Sequence, residues 1–178
     1  MGTYAADPQT LSIGLLLVRL VVGLVMTAHG TQKLFGWFGG YGLHKTGEFF
    51  VQLGFFPGSA FAAAASVTEI VSGILVALGL LGPIGPALMI SVMIVAAVTV
   101  HWEHGLFAAT NGIELPLLYG AAAFGLALTG YGQYSLDAWL GIAGRWPTSI
   151  TWIVLALGII GGFANVALRR RPTVTART

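Results

Sequence analysis

The chain has 178 residues, of which 56% are hydrophobic and 8% are charged, against about 25% charged in an ordinary soluble domain. Eight Lys or Arg and six Asp or Glu are too few to cover a single domain of this length, so most of the outer surface must face lipid rather than water. The net charge of +2 is scattered along the chain and forms no stripe that could follow a phosphate backbone, which excludes nucleic acid as a partner. With no cysteine, the chain makes no disulfide, thiolate metal site or Cys-ligated cluster, so any sulfur redox chemistry needs a partner.

Residues 1–10 carry one charge, Asp7, and lack the positive n-region of a secretory signal, so the first apolar run is expected to stay in the mature protein. That run, 12–35, is the first of five predicted membrane helices; the others cover 60–81, 85–101, 113–129 and 149–168. These runs are continuous, whereas a lipid-facing strand alternates apolar and polar residues over roughly 10 positions, so the fold is an all-α, polytopic membrane helical bundle. The connection 36–59 is Gly-rich and aromatic (Trp37, Phe38, Tyr41, Phe49) and is expected to include an interfacial half-helix over 45–53. Gly82-Pro83-Ile84-Gly85-Pro86 is a tight break that makes the second and third helices an antiparallel hairpin. Small residues (Ala62, Ser72, Gly73, Ala123, Gly158, Gly162) mark expected close approaches between helices. The tail Arg169-Arg170-Arg171 argues for a cytoplasmic C-terminus, which with five spans puts the N-terminus outside and Lys33 and Lys45 inside.

Chain direction brings the end of the first helix, the start of the second, the end of the third and the start of the fourth to one membrane face. Most ionisable residues collect there. The first helix supplies His29 and Lys33, four apart and so on one helical face. The third ends in His101-Trp102-Glu103-His104, the fourth starts at Glu114, and the long connection adds His44, Lys45 and Glu48. Two charges lie deeper: Arg19 about 10 Å inside the opposite face, and Glu69 about 13 Å below the charged one. An unpaired charge at such depth costs at least about 2.5 kcal/mol, so both must face the bundle interior and find partners. For Glu69 the candidates are Arg19 and His29, giving a predicted polar chain from Arg19 through Glu69 to His29. The plainer readings are a structural Arg19–Glu69 pair, interfacial polar residues closing a span at His101 and His104, and Lys33 and Lys45 reaching up to headgroups.

Three chemistries fit such a cluster. A quinone head group needs a hydrogen-bond donor and acceptor that exchange protons near the interface, which His29, Glu69 and His101 supply as candidate catalytic residues, with Arg19, Lys33 and Glu114 as candidate binding residues. His29, His101 and His104 with a carboxylate form a weaker metal pattern, and His29 with His101 a weaker haem pair. No metal site is assigned. Serine hydrolysis, a P-loop and a dinucleotide fold find no motif.

Several of these residues resemble the DoxX family of small bacterial membrane proteins. The similarity lies in Leu17-Val18-Arg19, His29-Gly30-x-x-Lys33-Leu34, Gly54-Phe55-Phe56-Pro57, Glu69-x-x-x-Gly73-x-Leu75-x-x-Leu78-Gly79-Leu80, His101, and Gly130-Tyr131-Gly132-Gln133-Tyr134-Ser135-Leu136-Asp137, over residues 12–140. The resemblance implies a four-helix membrane core over 1–140 in the bacterial cell membrane, to which residues 141–178 add a fifth helix and a basic tail. It also implies an association with thiosulfate:quinone oxidoreductase and with enzymes of thiol and quinone stress defence. Matching polar positions are Arg19, Lys33, Glu69, His101 and Asp137, the last expected to cap 137–140. Four-helix relatives keep both termini cytoplasmic, which would put the His and Lys face outside, opposite to the charge count.

The expected function is therefore an integral membrane subunit or small enzyme of a quinone-linked oxidoreductase, working with a protein partner in an oxidoreductase or respiratory complex. The alternative is a non-catalytic scaffold that recruits such a complex through its end-face aromatics and arginine tail. A solute transporter is disfavoured because no broken helix pair or inverted repeat is present.

Overall fold

The computed structural model describes residues 7–170; residues 1–6 of the opening segment and Arg171 of the arginine cluster lie outside the described residues. The first helix, α1 (Pro8–Phe35), begins where proline has no N–H to leave unpaired and the Asp7 side chain accepts from the Gln9 and Thr10 amides. It stops at Gly36, whose φ of 76° lies in the left-handed region that glycine enters without strain. An amphipathic helix α2 (Gly42–Gln52) follows, where the half-helix 45–53 was expected, and then α3 (Gly58–Leu78). A tight hairpin leads into α4 (Ile84–Ala96), which a π-helical turn at Ala97–His101 prolongs. After an irregular stretch come α5 (Glu114–Thr129), the single-turn α6 (Leu136–Trp139) and α7 (Thr148–Ala167).

All five predicted apolar segments are helical, and the described residues contain no strand. Four stretches are long and apolar enough to cross a membrane: Pro8–Phe35, Gly58–Leu78, Ile84–His104 and Thr148–Ala167. The 16 residues of α5 give only about 24 Å, shorter than the others. It nevertheless runs from the end of the bundle at His101 to the end at Gly79, because its two flanking loops bond to those sites: His101 Nδ1 lies 2.7 Å from the Asn111 carbonyl, and Asp137 N donates to the Gly79 carbonyl at 3.0 Å.

The α1–α3 contact sets the register of the bundle. A Cβ on Gly23 would stand 2.5 Å from the Gly73 carbonyl, and one on Gly30 would stand 2.6 Å from the Ser66 carbonyl. Only glycine lets these backbones touch, which is how helices associate where lipid offers no hydrophobic drive. On the other side α7 lies against α4 through Gly158 over Ala87 and Gly162 over Ser91, so the small-residue pattern is used inside the bundle. Between the helices lies a core of Met26, Val76, Met89, Val92, Leu126 and Leu155. Leu17, Val21 and Leu24 of α1 and Leu157 and Ile160 of α7 are exposed, as a lipid-facing wall requires. The composition, these helices and their outward apolar faces make the chain a multi-pass membrane protein.

Arginines at the end of α7 turn back onto the protein. Arg169 Nε donates to the Leu53 carbonyl at 2.8 Å, and Arg170 N to the Gly54 carbonyl at 2.8 Å. The described part of the tail thus anchors α7 to the corner between α2 and α3.

Candidate functional site

A carboxylate inside a membrane helix must be neutralised or bonded, and Glu69 is only 1% exposed in the middle of α3. Its partner is Lys33. The Lys33 ammonium donates to Glu69 Oε1, while Oε2 is buried and has no hydrogen-bonding partner among the described residues. The α1–α3 register explains the pair. With Gly30 seated on Ser66 and Ile70, Lys33 sits about one turn nearer the membrane face than Glu69's level, and its four-carbon stem reaches down to the carboxylate. A third of the Lys33 side chain stays exposed, so the pair connects a buried acid to the membrane face.

His29, one turn before Lys33 on the same face of α1, stands edge-on to Tyr119 of α5, with ring centroids 6.1 Å apart and planes at 82°. Helices α1, α3 and α5 therefore bring His29, Lys33, Glu69 and Tyr119 together near one end of the bundle. Both rings are partly exposed, so the group has an approach from outside that Glu69 alone lacks. Chemically it offers a basic side chain, an imidazole, a phenol and one carboxylate oxygen with unused hydrogen-bonding capacity.

The predicted polar chain from Arg19 through Glu69 to His29 does not form. Gly79 lies against the Arg19 guanidinium, which sets Arg19 level with the end of α3, about 15 Å along that helix from Glu69. There Arg19 Nη1 donates to the Tyr131 carbonyl at 2.8 Å and Nη2 to the Tyr134 carbonyl. It serves as an anchor for the loop after α5. Nor do His101 and Glu114 join Glu69. Gly85 packs on Leu75 and Val76, which brings Val92 of α4 level with Glu69 and leaves His101 about 13 Å further along. His101 Nδ1 is 2.7 Å from the Asn111 carbonyl, and Glu114 Oε2 accepts from Ala108 N at 2.7 Å, so both organise the loop between α4 and α5. His104 bonds locally to the Val100 carbonyl at 3.0 Å, and His44 faces Glu48 at 3.7 Å on the exposed side of α2. Among the described residues no three His, Asp or Glu side chains converge on a common point suited to a metal ion.

Contrary to expectation, Asp137 does not cap its own helical turn; the Ser135 hydroxyl does, accepting from Ala138 N at 3.2 Å. The two Asp137 oxygens accept from Leu81 N at 2.8 Å and Gly82 N at 2.7 Å, closing the α3–α4 hairpin. Sequence reading missed Tyr119 altogether. A tyrosine within an otherwise apolar span was the available signal, because a phenol in lipid needs a polar neighbour.

The family model named DoxX matches residues 14–102, half of the chain, which includes most of α1, all of α2, α3 and α4, and three residues of the site, His29, Lys33 and Glu69. No curated protein and no solved structure matches the chain. The match over α1 to α4, together with the multi-pass helical architecture, shows that this chain belongs to the DoxX family.

Proposed function

We infer that the protein is the quinone-reacting membrane subunit of an oxidoreductase, with Glu69 exchanging protons with the quinone head group and His29 and Lys33 assisting. The observation that carries this reading is the unused oxygen of Glu69, buried beside a lysine that bonds the other oxygen. Nothing in a purely structural ion pair requires a lone acceptor to be left unbonded in lipid, where such an atom is costly.

Reduction of a quinone to a quinol takes two electrons and two protons. The electrons come from a partner oxidoreductase acting on a thiol or sulfur substrate, since this chain has no cysteine to form a thiol–disulfide relay of its own. The two protons, one for each quinone oxygen, reach the head group through this chain. Glu69, ion-paired with Lys33 at rest, takes up a proton at Oε2 and passes it on, and Lys33, partly exposed at the membrane face, balances the carboxylate charge once that proton has left. His29 and Tyr119, at the partly exposed edge between α1 and α5, position the ring. The His29 imidazole passes on the second proton. In the oxidative direction the same groups take the protons from a quinol.

Activity of the complex isolated from membranes tests this directly. Glu69→Gln keeps the shape and an acceptor for Lys33 but holds no exchangeable proton, so quinone-dependent turnover should fall by at least about a hundredfold; His29→Ala should fall similarly, with membrane insertion unchanged in both. Full turnover in both variants would falsify the reading. A complex that assembles and turns over normally with either variant is instead what a recruiting scaffold gives.

A further inference from the structure

Beside the end of α7 lies a cavity of about 470 Å³, bounded by the end of α2, the π-helical turn Ala97–His101, the loop that follows it and Arg169. Cavities of this size suit small ligands. Val98, Thr99 and Val100 of its wall belong to the π turn, an irregularity met frequently at functional sites. Arg169 and Glu103 both line the cavity and both are exposed, yet they form no ion pair with each other. Arg169 is held from another side: its Nε donates to the Leu53 carbonyl at 2.8 Å, and the next residue's amide donates to the Gly54 carbonyl at 2.8 Å. Neither the two terminal nitrogens of Arg169 nor the Glu103 carboxylate has a hydrogen-bonding partner among the described residues.

The cavity therefore presents both signs of charge, unpaired and apart. A guanidinium with its two terminal nitrogens unbonded matches phosphate oxygens in a fork. On the other side a carboxylate only accepts. His104, which also lines the cavity, adds a second acceptor: its Nδ1 stands 3.0 Å from the Val100 carbonyl, which cannot donate, so Nδ1 carries the hydrogen and Nε2 of the neutral ring accepts. Such a pair suits an ammonium, which has three donors. A simple anion would be repelled by Glu103 and a simple cation by Arg169; a group with both charges meets both needs. Exposed Trp102 and Phe49 line the same cavity, and aromatic side chains of this kind collect at headgroup level. The geometry points to a binding site for the zwitterionic headgroup of an aminophospholipid, with Arg169 on the phosphate and Glu103 and His104 on the primary ammonium. The site stands apart from the Glu69 group, since the π turn ends at His101, about 13 Å along α4 from Glu69's level. Its three binding residues all follow residue 102, where the match to the family ends, and α7 completes it by supplying Arg169.

Native mass spectrometry of the detergent-solubilised protein reads the site, with phosphatidylethanolamine, phosphatidylcholine and phosphatidylglycerol of identical chains added in turn. Phosphatidylethanolamine should be retained about tenfold better than the others, because choline has no N–H for Glu103 and phosphatidylglycerol brings a net negative charge to it. Glu103→Gln removes a carboxylate that bonds no described residue, so the fold should survive while the preference for phosphatidylethanolamine over phosphatidylglycerol disappears. Arg169→Gln should weaken retention of all three, since the phosphate is common to them. O-Phosphoethanolamine, the same headgroup without chains, should not displace the bound lipid at equal concentration; displacement would overturn a lipid as the ligand. No preference for phosphatidylethanolamine in wild type, the same preference in Glu103→Gln, or unchanged retention in Arg169→Gln overturns the site.

Discussion

Lys33→Met should lower stability by about 3 kcal/mol, because removing one partner of a buried ion pair leaves the other charge uncompensated in a low-dielectric interior. Glu69 is 1% exposed and its only bonded oxygen is the one Lys33 reaches, so no side chain in the described structure stands ready to replace the lysine. Glu69→Gln alone should cost far less. Placing both changes in one protein should recover most of the loss, since a neutral amide beside a methionine no longer strands a charge. Unfolding in mixed micelles across the four proteins of this cycle measures the coupling. Additive losses would mean that Lys33 merely reaches to headgroups and that its bond to Glu69 has no energetic weight.

Arg19→Met should lower stability by about 2–3 kcal/mol through a different contact. It strips the Tyr131 carbonyl, in a buried bond, and the Tyr134 carbonyl, in a partly buried one, of a charged donor. The consequence should be local: faster amide exchange at Gln133 and Ala138, where the loop after α5 is tied to α1 and folds into α6. Asp137 should hold the α3–α4 hairpin closed, because it bonds Leu81 and Gly82 and not Arg19. Combining Arg19→Met with Glu69→Gln should give strictly additive losses, as expected of groups about 15 Å apart on the register of α3. Strong coupling between them would restore the Arg19–Glu69 pair that the sequence suggested.

The bundle was legible because composition and continuous apolar runs decide it. With so few charges the helices have to be in lipid, and each predicted segment matches an observed helix to within a few residues. The meeting of His29 with Glu69's level was legible too, from depth counted at 1.5 Å per residue. What depth cannot convey is lateral register. That register depends on Gly23 and Gly30 seating against Gly73 and Ser66, a contact between helices distant in sequence, and it gives Glu69 to Lys33. Lys33 read as a residue reaching outward because a lysine near a helix end usually does so; it reaches inward because an acid lies within the span of its stem. Arg19 read as a partner for an acid, yet main-chain carbonyls in a loop more than 100 residues away satisfy it, and nothing local announces such a contact. His101 and Glu114 share a membrane face with Lys33 but spend their bonding on the α4–α5 loop, since a shared leaflet does not bring side chains together.

Membership of the DoxX family and the buried Lys33–Glu69 pair meet in α1 and α3, both within the matched residues 14–102. In that pair Glu69 is enclosed, bonded at Oε1 and without a hydrogen-bonding partner at Oε2 among the described residues. The redox-difference infrared spectrum of the protein holding a reducible quinone reports that carboxyl group without needing the electron-donating partner. On quinone reduction, wild type should show a change in a protonated carboxyl stretch that vanishes in Glu69→Gln. The same carboxyl change in wild type and Glu69→Gln, or no carboxyl change in either, contradicts proton exchange at Glu69.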